Sequence, residues 1–99
     1  MNTSTSKREI YENKMKAQLK EWNAEIDKLE AKLEQKDADA RLKAKKQLDE
    51  LEAKRDSAKQ KFDDLKSASD DAWSELKDGF EGAWSALSNS MQSARKQFH

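Results

Sequence analysis

A chain of 99 residues that is 34% hydrophobic and 40% charged holds too little apolar surface for a thick globular core. Its formal net charge of zero argues against a nucleic-acid partner, which calls for a basic excess, and the lack of cysteine excludes disulfides and thiolate metal sites. Ala, Leu, Glu, Lys and Gln dominate, Val is absent and Ile occurs only at Ile10 and Ile26, a mixture that favours long helices over strands.

In chain order, residues 1–6 read as a disordered tail. Their polar character is not that of a secretory signal, and no stretch reaches membrane-span length, so a cytoplasmic location is expected. Ser6 with Glu9 fits a capping box and places a helix start near Lys7. Met15, Leu19, Trp22, Ile26, Leu29 and Leu33 then step by four and three, which is a heptad seam. Acids four residues before bases, such as Glu12 with Lys16 and Glu50 with Lys54, are expected to pair on exposed faces.

Between Lys36 and Gln47 the seam thins to Ala40 and Ala44, with Leu42 off the stripe. It resumes at Leu48, Leu51, Ala58, Phe62 and Leu65. No Gly, Pro or Asn marks a turn in the thin region, so the expected element is one coiled-coil helix over about 7–66. The alternative is a bend near Asp37–Asp39, giving three helices of similar length and a three-helix, spectrin-like bundle. A lone helix of this length would leave its seam in water, although burying each large apolar side chain contributes roughly 1.5–3 kcal/mol. Self-association into a homo-oligomer through Met15, Leu19, Trp22, Ile26, Leu29, Leu33, Leu48, Leu51, Phe62 and Leu65 is therefore expected.

Residues 67–69 read as a hinge or cap, with Ser67 or Ser69 as N-cap, before an amphipathic terminal helix over about 70–97 in the terminal segment 70–99. Acids crowd its start and Arg95 and Lys96 lie near its end, which suits the dipole of a separate helix. Leu65, Leu76, Leu87 and Phe98 are eleven apart, as are Trp73 and Trp84. Eleven residues make about three helical turns, so the pattern is a hendecad stripe. The apolar face is Trp73, Leu76, Phe80, Trp84, Leu87 and Met91. Gly79 and Gly82 lie off it and either permit a close helix approach or weaken the helix. The face either packs on helices of its own protein, the reading preferred here, or meets a membrane surface; the uncharged run Gly82–Ala94 gives little attraction to anionic lipid.

No constellation of reactive residues stands out. His99, the single histidine, is terminal, and no Glu-x-x-His pair supports a carboxylate-bridged metal site. The cluster Arg41, Lys43, Lys45 and Lys46 points in several directions around a helix and lies near compensating acids, so it reads as a solvated, charge-paired segment. No enzymatic activity, catalytic residue, metal, cofactor or small-molecule substrate is expected.

Met15-Lys-Ala-Gln-Leu-Lys-Glu-Trp-Asn-Ala-Glu-Ile-Asp-Lys-Leu-Glu-Ala-Lys and Ala72-Trp-Ser-Glu-Leu-Lys-Asp-Gly-Phe-Glu-Gly-Ala-Trp, with Lys7-Arg-Glu before them, resemble a family of small bacterial coiled-coil stress-response proteins that includes a cyanobacterial type. The resemblance spans nearly the whole chain and implies a stress-linked structural or protective role with no catalytic residues. The Ser-rich run after Trp84 differs from the more charged ending of that family. A coiled-coil adaptor and a peripheral membrane protein are the rival functions. The eleven-residue period alone is also similar to that of exchangeable apolipoproteins and desiccation-protection proteins.

Overall fold

The computed structural model describes residues 6–98. They form three helices, α1 (Lys7–Leu33), α2 (Ala38–Ser67) and α3 (Asp70–Gln97), and no strand among the described residues. Each helix starts on a polar side chain that accepts from the backbone N–H three residues on. Ser6 Oγ accepts from Glu9 at 3.2 Å, Asp37 Oδ1 from Ala40 at 2.9 Å and Ser69 Oγ from Ala72 at 3.4 Å. Such a cap contributes about 1 kcal/mol. Acids occupy each first turn and bases each last turn, complementing the helix dipoles.

The expected continuous helix over 7–66 is broken between Leu33 and Ala38, and the three-helix alternative is the fold that forms. Glu34 keeps helical angles. The amides of Gln35 and Lys36 then bond three residues back, to Lys32 and Leu33, at 3.1 and 3.2 Å. Asp37, at φ −69° and ψ 172°, redirects the chain and caps α2. Expecting Gly, Pro or Asn at a turn overlooked that Asp serves as an N-cap. The second boundary falls at Ala68–Ser69 as expected, with Ser69 rather than Ser67 as the cap. Of the tail expected over 1–6, Ser6 is the cap of α1, and the remainder lies outside the described residues.

Helices commonly end on a glycine in the left-handed conformation. Neither turn contains one, and arginines meet the end carbonyls instead. Arg41 donates to the carbonyls of Glu34 and Lys36 at 3.5 and 3.2 Å. Arg8 donates to those of Leu65, Lys66 and Ala68 at 3.3, 3.2 and 2.7 Å. It also pairs with Glu12 at 2.9 Å and with Asp70 at 3.0 Å, so one side chain ties the start of α1 to the end of α2 and the start of α3.

The helices run up, down and up in a bundle 57 × 23 × 17 Å. The core holds Met15, Leu19, Ile26 and Leu29 of α1, Ala44, Leu48, Leu51, Ala58, Phe62 and Leu65 of α2, and Phe80, Leu87, Met91 and Ala94 of α3, closed by Phe98. Trp22 and Leu33 pack against it half-buried. Burial that the sequence assigned to a second chain is thus supplied within one chain. Leu42 lies 72% exposed, consistent with its place off the stripe. The ion pairs four residues apart run from base to acid, Arg8–Glu12, Lys45–Asp49 and Lys59–Asp63, the reverse of the expected order. Glu12 is drawn back to Arg8, and Lys54 leaves Glu50 to donate to Ser90 of α3 at 2.7 Å.

Arg8→Ala should therefore cost on the order of 2 kcal/mol, because charge-assisted hydrogen bonds each contribute about 1.5–3 kcal/mol and these are partly exposed. Thermal unfolding followed by circular dichroism should show a Tm lower by roughly 8–16 °C. Arg8→Lys should recover only part of the loss, since lysine lacks the planar fork. An unchanged Tm in Arg8→Ala would show that the helix ends are satisfied without it.

Candidate functional site

The largest grouping of distinctive side chains lies between α1 and α3. No Cα of α1 comes within 8 Å of a Cα of α3, whereas α2 approaches both. Aromatic rings span the gap. Tyr11 meets Trp73 edge-on, with ring centroids 5.6 Å apart and planes at 83°. Eleven residues further along each helix, Trp22 meets Trp84 at 5.9 Å. Parallel helices with the same eleven-residue step stay in register, so ring meets ring again at the second level, there tilted at 56° and not edge-on. Fully buried Phe80 lies between them, 6.3 Å from Tyr11, 5.9 Å from Trp84 and 5.5 Å from Phe62 of α2. Such contacts add about 0.5–1.5 kcal/mol each beyond area burial.

Charged groups line the edges of this seam. The Trp73 indole N–H donates to Glu12 at 2.9 Å, and the cations of Arg8 and Lys77 stand 5.8 and 5.7 Å from its ring. Lys77 also stands 4.8 Å from the Tyr11 ring. At the other pair, Arg95 lies 5.4 Å from the Trp22 ring and donates to Glu25 at 2.7 Å. Its guanidinium holds the Glu25 carboxyl below the usual range, and Glu25 raises Arg95 in turn. The Tyr11 hydroxyl donates to Glu81 at 3.2 Å. Burial, then the Glu81 charge and hydrogen bond, push its phenol well above the ordinary range. The Trp22 indole N–H is buried and finds no acceptor among the described residues, which opposes folding by roughly 1–3 kcal/mol.

The expected apolar face of α3 is therefore placed on its own protein. Phe80, Leu87 and Met91 are buried, and Trp73 and Trp84 are half-buried against α1. Leu76 departs from the expectation at 37% exposed. It sits in a shallow groove with Lys61, Asp64 and Gly79, where α2 offers no apolar side chain to cover it. Gly79 and Gly82 permit no close approach, since a Cβ on either would meet nothing within 4 Å. They only weaken α3, by about 1 kcal/mol each.

Tyr11, Arg8, Glu12 and Lys77 belong to this seam, and none was singled out from the sequence as a site residue. The signal for Tyr11 was present: it precedes Trp22 by the eleven residues that separate Trp73 from Trp84. On the opposite side, α1 and α2 flank a groove of about 380 Å³ with Leu19 and Phe62 at its floor and Lys16, Lys20, Arg55 and Lys59 at its rim. Two of those cations are already paired, Arg55 with Asp56 and Lys59 with Asp63. In the basic cluster of α2, Arg41 caps α1 and Lys45 pairs with Asp49. Among the described residues no group of His, Cys, Asp or Glu side chains is arranged to hold a metal ion, and no helix is long and apolar enough to cross a membrane. His99 lies outside the described residues. Comparison with protein-family models, with curated proteins and with solved structures finds no match to this chain.

Tyr11 makes the stability of the site depend on alkaline pH. Because the folded-state pKa of Tyr11 is raised, its contribution to stability is complete below the unfolded value near 10 and is lost as pH rises through the folded value. Tyrosinate absorbance should thus appear only well above pH 10, together with loss of helical signal. Tyr11→Phe should remove that alkaline step. Titration of the folded wild type at an ordinary tyrosine pKa would show that the hydroxyl is solvated and not held by Glu81.

Proposed function

We propose that this chain is a non-enzymatic, self-associating helical protein of the bacterial cytoplasm with a structural or protective role in stress. The observation that carries the reading is the way α1 is held. Its contact with α3 is made by side chains, with every Cα of one helix more than 8 Å from every Cα of the other. The α2–α3 hairpin, by contrast, is joined closely along its length, from Phe62–Phe80 to Lys54–Ser90. An amphipathic helix attached in this way is the layer most readily exchanged for an equivalent helix. Its removal uncovers an apolar strip that includes Phe62 and Phe80, and an identical helix from a second copy is complementary to that strip.

A protective role is supported by the same property. Helices that trade internal for external apolar partners, on a surface dominated by balanced charge, can cover exposed apolar surface on other chains without losing solubility. The resemblance of Met15–Lys32 and Ala72–Trp84 to bacterial stress-response coiled coils supports the setting. The membrane-surface reading is less favoured because Phe80, Leu87, Met91 and Ala94 are already buried, so lipid would have to displace two helices to reach them.

Light scattering over about 1–100 µM protein tests the association, since an oligomer's population rises with concentration. The mass should rise from 11.4 kDa towards a multiple of it, and small phosphatidylcholine vesicles should leave that mass unchanged. Addition of the protein should also slow heat-induced aggregation of a thermolabile client enzyme. A constant monomer mass, together with no effect on the client, would overturn the proposal. Transfer of the protein onto vesicles would favour the membrane reading.

A further inference from the structure

The turn between α1 and α2 is built mostly of residues that prefer a helix. Glu34, Gln35 and Lys36 are good helix formers. Glu34 retains helical angles, φ −63° and ψ −21°, and Asp37 is the residue that turns extended. The apolar stripe also runs in phase across the turn. Leu29, Ala40, Leu51 and Phe62 are eleven residues apart, and so are Leu33 and Ala44. An uninterrupted helix from α1 into α2 would carry them all on one side. Two helices that meet only as a hairpin need no common phase, because each is free to rotate about its own axis to face the core. Asp37, midway between Ile26 and Leu48, is a polar member of the joint stripe, and Arg55 and Lys59 are the next residues on the Ala44 and Leu48 lines.

From this phase and this turn chemistry we propose that Glu34–Asp37 is a swap hinge. When two copies meet, the hinge becomes helical and α1 and α2 join into one rod. Each α1 then takes the place of its counterpart on the other copy's α2–α3 hairpin. The inference rests on the self-association proposed above and specifies its geometry.

The swapped and closed forms share nearly all contacts, as expected of domain swapping. Trp22 would meet Trp84 of the second copy in the same way that it meets its own. What differs is the hinge. The closed form has the Asp37 cap on Ala40 and the Arg41 contacts to the end of α1. The swapped form exchanges these for helical hydrogen bonds through residues 34–37 and for a rod of about 90 Å, at 1.5 Å per residue. Asp37 is the residue that opposes opening twice, by capping the closed turn and by placing a carboxylate in the apolar stripe of the rod.

Two substitutions move the equilibrium in opposite directions. Ala38 is the first residue of α2, a position that suits proline, and Asp37 before it already has the extended angles that proline requires. In the rod the same proline would remove a hydrogen bond and clash with the preceding turn. Ala38→Pro should therefore stay closed and helical while weakening dimerisation at least tenfold. Asp37→Ala should tighten it on the order of tenfold, since one cap is lost in each of two chains. Wild type refolded from a mixture of isotope-labelled and unlabelled chains gives a readout independent of both variants. Nuclear Overhauser contacts between the Trp22 and Trp84 indoles, whose centroids are 5.9 Å apart, should appear between chains. A dimer without those inter-chain contacts, or one that Ala38→Pro leaves unchanged, would overturn the hinge and leave self-association standing. A wild type that stays monomeric throughout would overturn both.

Discussion

Rings of Tyr11, Trp22, Trp73 and Trp84 bridge parallel helices whose Cα atoms never come within 8 Å, and the three-helix arrangement depends on that bridge. Small aliphatic side chains could not fill such a gap. Large aromatic side chains can, because each brings wide apolar area and, in the Tyr11–Trp73 pair, a favourable edge-to-face geometry. The spacing of the two pairs follows from the helix itself. Eleven residues return a side chain to nearly the same direction, so rings eleven apart on each of two parallel helices meet at two levels. Phe80 fills the interval between them and connects the seam to Phe62 in the core.

The rest of the chain compensates for a core that is narrow. With so many charged residues, burial alone gives little surplus over the entropy of ordering, and the ends of the helices matter more than in a larger domain. Each helix start is capped by a side chain, and the carbonyls at the ends of α1 and α2 are met by arginines from a neighbouring helix. Those arginines couple local to tertiary structure, since the end of α2 is satisfied only while α1 lies beside it. The same economy bears on the proposed exchange of α1, which would carry its own arginine and its own aromatic pairs to the hairpin that receives it.

Much of this was legible in the sequence because helices declare themselves by periodicity. The heptad steps from Met15 to Leu33, the hendecad face of α3 apart from Leu76, the cap at Ser6 and the second of two candidate caps, Ser69, correspond to what forms. The turn at Asp37 was misread because the stripe stays in phase through it and no glycine or proline interrupts it; only the cap chemistry of Asp37 distinguishes a turn from a rod. Periodicity also could not say whether the seam closes on its own chain or on another, because both supply the same burial. Leu76 was assigned to the buried face by its period, yet its exposure is decided by Lys61 and Asp64 on α2, which no reading of α3 alone reveals. The role of Arg8 was invisible for the same reason, since its partners outside α1 lie 57 to 62 residues away.

The bridge between α1 and α3 is tested most directly by double-mutant cycles on the stability of the folded chain. Trp22 and Trp84, whose rings are 5.9 Å apart, should show a coupling of about 0.5–1.5 kcal/mol when each is replaced by leucine singly and together. Tyr11 and Trp84 belong to different levels of the seam and should be additive to within about 0.5 kcal/mol. Additive behaviour for Trp22 with Trp84, or equal coupling in both cycles, would contradict a seam built from paired rings at two levels.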